Sequence, residues 1–345
     1  MAALEREGKI KNWRAALSRQ RSDAICAGNS MMKPIVSVLL PVFNGEAYLK
    51  PAIESVLNQT FGDWELFVGD NASTDRTREI IESYRDPRIR VHRHSTNVGM
   101  TPNWDFLLQN ARGDYACILG ADDMLAPNHL ERKINLLEQQ PDASFVHGAV
   151  RFIDSDGNKC PGGNFECAPI ENRKETLPRF LKVDFVNITT VVFRIAVLRR
   201  HNISFESRYP LMPDWAIYLK TAILDGPLIY DGQPTASYRI HPQSIARKTA
   251  KTFGWTYEGN RLRADALMEY QTTWQEIGID PLVEARSLTK PLWRLAFQQA
   301  RRGNFRNARL AWRFFREFHS PLEALWDFPQ YVKNGILKKS ANNKN

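Results

Sequence analysis
The chain has no run of the roughly 18–20 uncharged apolar residues that a membrane-spanning helix needs, so no such helix is expected. Its N-terminus is charged and shows no apolar core of signal-peptide type, so secretion is not expected. Cysteine is scarce. Cys26, Cys117, Cys160 and Cys167 are too few and scattered for a disulfide framework, and Cys160 and Cys167 have no second Cys or His pair at zinc-site spacing. A reduced, cytoplasmic protein is the expectation. No G-x-G-x-x-G follows any strand signal, which argues against a nicotinamide-dependent dehydrogenase. Internal repeats and low-complexity tracts are lacking too. What is present is an ordinary globular composition, 43% apolar and 25% charged over 345 residues, enough for one large domain with an appendage or for two.

Acidic residues run short towards the C-terminus. Ala246 to Asn345 holds 18 Lys+Arg against 9 Asp+Glu, whereas the preceding 245 residues carry 29 of each, so the net charge of +9 sits in the last stretch. A basic tail on a neutral body suits an anionic partner, such as a membrane surface, a lipid-diphosphate carrier or nucleic acid, or else is a solvated basic face. Arg294, Arg301, Arg302, Arg306, Arg309, Arg313 and Arg316 alternate there with Trp293, Phe297, Phe305, Trp312, Phe314 and Phe315. Basic aromatic helices of this kind can lie in a membrane interface; they can equally pack with their arginines outward. No recognised nucleic-acid-binding motif accompanies the charge, and nucleic acid is not expected as a partner.

Met31-Met32-Lys33-Pro34 leads into the first strand signal, and residues 1–32 read as an N-terminal extension, helical or disordered. From there strands and helices alternate. Ile35–Phe43, Trp64–Asp70, Arg88–His94 and Tyr115–Gly120 are β-rich runs, the first continuous enough to be buried on both faces. Tyr48–Asn58, Asp75–Arg85, Asn103–Ala111 and Asn128–Gln139 have helical patterns between and after them. Ser144–Asp154, Asn187–Phe193 and Leu228–Ile240 continue the strand signal less regularly, and the Gly- and Pro-containing stretch 158–175 reads as a loop over a site. The alternation predicts an α/β domain over 33–250 with a mixed, mostly parallel central sheet flanked by helices. A basic helical region over 251–345 follows, with Trp293, Phe297, Ala300 and then Ala308, Ala311, Trp312, Phe315 as apolar faces separated at Gly303-Asn304.

Ligands of such sheets bind at the carboxyl ends of the strands. Those ends read Pro41-Val42-Phe43-Asn44 with Glu46 behind, Gly69-Asp70-Asn71-Ala72-Ser73-Thr74-Asp75, Asn97-Val98-Gly99 before Asn103, and Gly120-Ala121-Asp122-Asp123. Carboxylates there can accept from a base or ribose, and adjacent ones can hold Mg²⁺ or Mn²⁺. Ser73, Thr74 and Asp75 are adequately explained as turn formers and a helix N-cap.

The ordered set, from about Ile35 to Ser244, resembles family 2 of the glycosyltransferases, inverting enzymes with the GT-A fold. Pro41–Asn44 looks like that family's opening motif, Ser55–Phe61 with Trp64–Thr77 like its second, and Gly120–Asp123 like its DXD motif. The resemblance implies that Pro41, Phe43 and Asn44 line a nucleotide pocket, with Glu46, Asn97, Gly99, Asn103 and Ala121 on the same side. It implies that Asp70 binds the base edge and Asp122, helped by Asp123, the metal under the donor diphosphate. Gly120 stands where the first Asp of a full DXD often is. Asp214, in Pro213-Asp214-Trp215, starts a helix anchored by Trp215, Leu219 and Ala222. By spacing it is either a helix-terminus acid or a general base, and the resemblance favours the base, although Pro213 replaces the family's usual Glu. His241 could complete the metal site or be structural, and Arg239 could neutralise the diphosphate.

The implied reaction moves a sugar from a nucleoside-diphosphate sugar, UDP- or dTDP-linked by preference, to a hydroxyl of a glycan or lipid-linked saccharide. A cytoplasmic enzyme of polysaccharide or glycan biosynthesis, at the inner face of the cell membrane through an anionic surface, is the matching expectation. Two other readings compete. A sugar-nucleotide pyrophosphorylase would show a Gly-rich basic loop where Pro41–Glu46 stands. A degenerate transferase that only binds nucleotide or a partner would suit Gly120 and Pro213.

Overall fold
The computed structural model describes residues 33–164, 167–244, 248 and 252–324, so the expected N-terminal extension lies outside the described residues. The chain divides into two compact units at Lys248/Thr249.

In the first unit the described residues form a nine-stranded mixed sheet ordered β3-β2-β1-β4-β8-β6-β9-β5, with β7 paired to β9. The strands are β1 (Val36–Val42), β2 (Trp64–Asp70), β3 (Ile89–Arg93), β4 (Tyr115–Ile118), β5 (Met124–Leu125), β6 (Phe145–Ile153), β7 (Ile170–Glu171), β8 (Val192–Arg194) and β9 (Leu228–Arg239). Every residue of β1 and β2 is buried, which is why both read as apolar runs rather than alternating strands. β3, β2, β1 and β4 are all parallel, in a register that sets Val42 beside Asp70 and Asp70 beside Arg93. Their carboxyl ends therefore open on one edge.

Crossover helices Leu49–Leu57, Thr77–Glu82 and Met100–Gln109 join these strands. Leu49, Ala52, Ile53 and Val56 are buried from the first of them, as its 3.6-residue spacing predicts. The second half of the sheet mixes directions: β8 runs antiparallel to β4 and β6, and β9 lies parallel to β6 and antiparallel to β5 and β7. Asp231-Gly232 does not end a strand. β9 continues through it, and its register against β6 shifts between Gly148 and Val150. The stretch 158–175 is also less loop-like than expected, since Ile170 and Glu171 pair with β9 and a helix runs Arg173–Phe180.

The second unit is helical over its described residues: Phe253–Glu269, Gln271–Glu276, Pro281–Thr289, Leu292–Arg301 and Phe305–Phe318. The last two are separated at Arg302–Asn304, with Gly303 at φ +75°. Trp274, Trp293, Ala311, Phe314 and Phe315 are buried, whereas Trp312, expected on an apolar face, is 38% exposed. No described helix is long and apolar enough to cross a membrane.

Candidate active site
A cavity of about 860 Å³ opens at the carboxyl ends of β1, β2 and β4. β4 ends at Ile118, opposite Leu39, so Pro41 reaches the cavity where its missing N–H breaks no ladder to β4. Phe43 stands half-exposed on the rim, 49% accessible. Asn44 takes φ +51°, a left-handed conformation that asparagine tolerates.

The loops after β1 and β2 are laced together. Asn44 N–H donates to Ser73 Oγ at 3.0 Å, Gly45 N–H to Thr77 Oγ1 at 2.8 Å and Glu46 N–H to Asp75 Oδ2 at 3.0 Å. In return Thr74 N–H donates to Asn44 Oδ1 at 2.9 Å and Arg76 N–H to Glu46 Oε2 at 3.1 Å. Asn44 and Glu46 thus line the cavity while their side chains also brace the second loop.

Asn71 organises the opposite wall. Its amide donates to Asn97 Oδ1 and Gly99 O, each at 3.0 Å, and its Oδ1 accepts from Val98 N–H at 2.8 Å. Gly99, at φ +94°, is the N-cap of helix Met100–Gln109, whose Met100, Asn103 and Trp104 face the cavity. That helix can lie so close to β2 because residue 69 is glycine. A Cβ there would meet Asn103 Oδ1 at 2.6 Å.

The inner wall is the turn Gly120–Asp122 with His241. Asp122 is partly exposed, and its Oδ2 lies 2.9 Å from His241 Nε2. His241 Nδ1 contacts Gln243 Oε1 at 3.2 Å, and its ring packs against Tyr48 with centroids 5.0 Å apart. A Cβ added at Gly120 would sit 2.9 Å from both Asp122 Oδ1 and Asp123 Oδ2, so a side chain there would require those carboxylates to shift.

Four expected site residues take other positions. Asp70 is buried and is not among the cavity's lining residues, accepting from Ser73 N–H at 2.9 Å and facing Arg93 at 3.4 Å. Asp123 is also buried, accepting from Arg239 N–H at 2.8 Å and from the Thr189 hydroxyl. Burial, with the neighbouring Asp122 charge, pushes its pKa up. Arg239 is not a free diphosphate ligand. Its guanidinium donates to Asp122 O at 2.8 Å, Asp154 O at 2.9 Å and Ser155 O at 3.1 Å, while lying 4.6 Å over the Tyr48 ring. Among the described residues, the Lys or Arg that lines the cavity is Lys248. Gly99 contributes through the backbone of the turn it caps.

Asp214 lies apart from that lining, in the first turn of helix Pro213–Leu224, whose Trp215, Leu219 and Ala222 are buried as expected. Burial pushes its pKa up to about 6. Asp184, which no sequence signal marked, is its electrostatic neighbour; burial and the Asp214 charge raise its pKa well above the usual carboxylate range. Burial and then the charges of Asp123, Asp122 and Asp214 push the pKa of the Tyr238 hydroxyl up. Sequence reasoning also missed Tyr48, Asn71, Met100, Trp104, Gln243, Ser244 and Lys248. Tyr48 and Trp104 had a usable signal, being aromatics beside motif residues at the start of a helix.

Elsewhere in the first unit, Cys167 groups with His147 and Glu171. Arg179 already binds both Glu171 and Cys167 Sγ, and a cation there would compete with it.

The comparisons with known proteins agree with this geometry. The model of the family described as "Glycosyl transferase family 2" matches residues 37–203. An uncharacterized glycosyltransferase of Haemophilus influenzae is 31% identical over 231 residues, spanning 66% of this chain and 88% of its own. Among solved structures, S. aureus TarS 1–349 in complex with UDP-GlcNAc superposes with a TM-score of 0.59 at 18% identity, covering 83% of this chain and 93% of that one. The mannosyltransferase PcManGT of Pyrobaculum calidifontis, in complex with GDP-Man and Mn²⁺, gives 0.51 at 15% identity over 88% and 81%. A GT-A sheet whose strand ends frame an acidic turn, and a relative matched over nearly its whole length, place this chain in glycosyl transferase family 2, as a glycosyltransferase.

Proposed function
We propose that the chain is an inverting glycosyltransferase that moves a sugar from a nucleoside-diphosphate sugar to a hydroxyl of a glycan or lipid-linked saccharide. The observation that carries this reading is the Asp122–His241 pair, 2.9 Å apart on the wall of an 860 Å³ cavity. A carboxylate oxygen is a suitable donor for Mn²⁺ or Mg²⁺, and an added imidazole nitrogen favours the softer Mn²⁺ over Mg²⁺. When His241 is neutral and its Nδ1–H donates to Gln243 Oε1, Nε2 is left with a lone pair facing Asp122. The divalent ion so held would act as Lewis acid on the leaving diphosphate oxygens, which would supply further ligands.

The nucleoside would lie between the loops after β1 and β2. Phe43 offers an apolar face at the rim, Asn71 and Asn97 shape the wall, and Lys248 adds charge near the phosphates. Asp70, Gly99, Asp123 and Arg239 hold these loops and the acidic turn in place. On the acceptor side, Asp214 would accept the hydroxyl proton as the oxygen attacks the anomeric carbon and the bond to the diphosphate breaks. That assignment draws support from its raised pKa and its place beside Asp184. A lipid-linked acceptor would bring the protein to the cytoplasmic, anionic face of a membrane.

Thermal unfolding with UDP, dTDP, GDP or CMP, each with and without Mn²⁺, tests the donor site. Ligand at about 100 times its Kd adds roughly 2.7 kcal/mol. A UDP or dTDP shift that needs Mn²⁺ and disappears in Asp122→Ala is expected. If no nucleotide moves the transition at millimolar concentration, the reading as a binding-only, degenerate transferase takes its place.

A further inference from the structure
The second unit carries an arginine-rich apolar surface that the transfer chemistry does not use. Between Ala285 and Arg316 the sequence contains nine Lys and Arg and no acidic residue. The neighbouring acidic groups are occupied, Glu317 by Arg261 and Glu323 by Arg286 and His319. Arg302, Arg306, Arg309, Arg313 and Arg316 are exposed, and no ion pair neutralises them among the described residues. At 3.6 residues per turn, Arg306, Arg309, Arg313 and Arg316 fall within an arc of about 80° on helix Phe305–Phe318.

Apolar side chains border that arc. Phe305 is 69% exposed, with Leu310 and Trp312 also exposed. Beside them a cleft of about 470 Å³ lies between the last two helices, lined by Trp293, Phe297, Ala308, Trp312 and Pro321 with Arg309 at its edge. Exposed aromatics next to a row of unpaired arginines match a bilayer interface, where acyl chains take the rings and headgroup phosphates the guanidinium groups. A globular packing partner would be expected to cover the rings without needing four uncompensated charges.

We propose that the face made by Leu292–Arg301 and Phe305–Phe318 docks on an anionic lipid bilayer, with Phe305 and Trp312 entering the interface and Arg306, Arg309 and Arg313 binding lipid phosphates. This rests on the transferase reading for its purpose, and gives the membrane contact a specific surface. The full-length chain is sedimented with phosphatidylglycerol–phosphatidylcholine vesicles and with phosphatidylcholine vesicles at physiological salt. Binding to the anionic vesicles alone is expected. The combined Arg306→Ala, Arg309→Ala and Arg313→Ala variant should bind on the order of a hundredfold more weakly, from about fivefold per arginine near an anionic surface. Phe305→Ser should weaken binding further, and more visibly at high salt, where the charge contribution is screened.

Because these side chains are exposed, unchanged thermal unfolding of the variants is the control for folding. The Mn²⁺-dependent UDP shift, read on the same samples, reports the donor site separately, so loss of docking with that shift intact leaves the transferase reading standing. The proposal is overturned if the wild-type chain ignores anionic vesicles, or if the arginine variant binds them as the wild type does. Binding of an oligoribonucleotide through the same arginines, with no vesicle binding, would overturn it as well.

Discussion

The rate of this enzyme should follow the ionisation of Asp214. Burial raises its pKa from the ordinary 3.8 to about 6. Only the ionised form can take a proton from an attacking hydroxyl. The rate should therefore be half-maximal near pH 6, fall about tenfold per pH unit below it, and level off above pH 7, where about nine tenths of Asp214 is charged. Asp214→Asn preserves shape and removes the base, and a loss of roughly 10²–10⁴-fold in kcat is expected with little change in donor KM, since Asp214 does not line the donor cavity. Asp184, whose own pKa is raised well above the carboxylate range by burial and the Asp214 charge, is uncharged where Asp214 titrates, so Asp184→Asn should leave the acid limb and the plateau in place. The assay is release of nucleoside diphosphate from the preferred donor, with water standing in for the acceptor hydroxyl, followed across the acid range. The folded state holds the Asp214 proton more tightly than the unfolded chain, so this group subtracts stability as pH rises from 3.8 to about 6. Asp214→Asn should accordingly raise Tm at neutral pH while abolishing activity. A flat profile through pH 6, or an Asp214→Asn enzyme within a few-fold of wild type, would refute the assignment.

Gly120→Ala places a Cβ 2.9 Å from the carboxylates of Asp122 and Asp123; Mn²⁺-dependent nucleotide binding should weaken by roughly 10–100-fold, as disturbing the groups that orient metal ligands commonly does. A thermal-shift titration with UDP and Mn²⁺ checks this, and unaltered affinity would mean the carboxylates move aside freely. Asp231 neutralises the fully buried Lys133 at 3.3 Å and Arg132 at 2.8 Å. Asp231→Ala should therefore cost about 3–5 kcal/mol in urea unfolding, because it leaves a buried cation uncompensated. Lys133→Met in the same background should recover a large part of that loss, and no recovery would mean that the ion pair is not the source.

The parallel half of the sheet was legible because burial on both faces writes itself as an apolar run: Trp64–Asp70 is a strand over the very residues expected. The donor loops were legible because tight turns and strand ends restrict residue type. Asn44, Asn97 and Asn103 do line the cavity. The placement of Asp70 and Arg239 was not legible for one shared reason, that sequence gives the chemistry of a side chain but not its direction. Both are spent on backbone groups within the loops they support. β5 and β7, two residues each, have no periodicity to detect. Asp184 escaped notice because the Asp214 charge that it feels lies 30 positions away, and a single carboxylate in an irregular segment gives no local sign of its neighbour.

The acidic turn depends on a strand made much later. Arg239 and His241, at and just past the end of β9, hold Asp122 and Asp123 across more than a hundred residues of chain. A ribosome that has delivered β1 to β6 has produced the walls of the donor pocket but neither the imidazole nor the arginine that fixes the turn. The turn is thus braced only once β9 has paired with β6 and β5, so its geometry is completed by the last strand of the sheet.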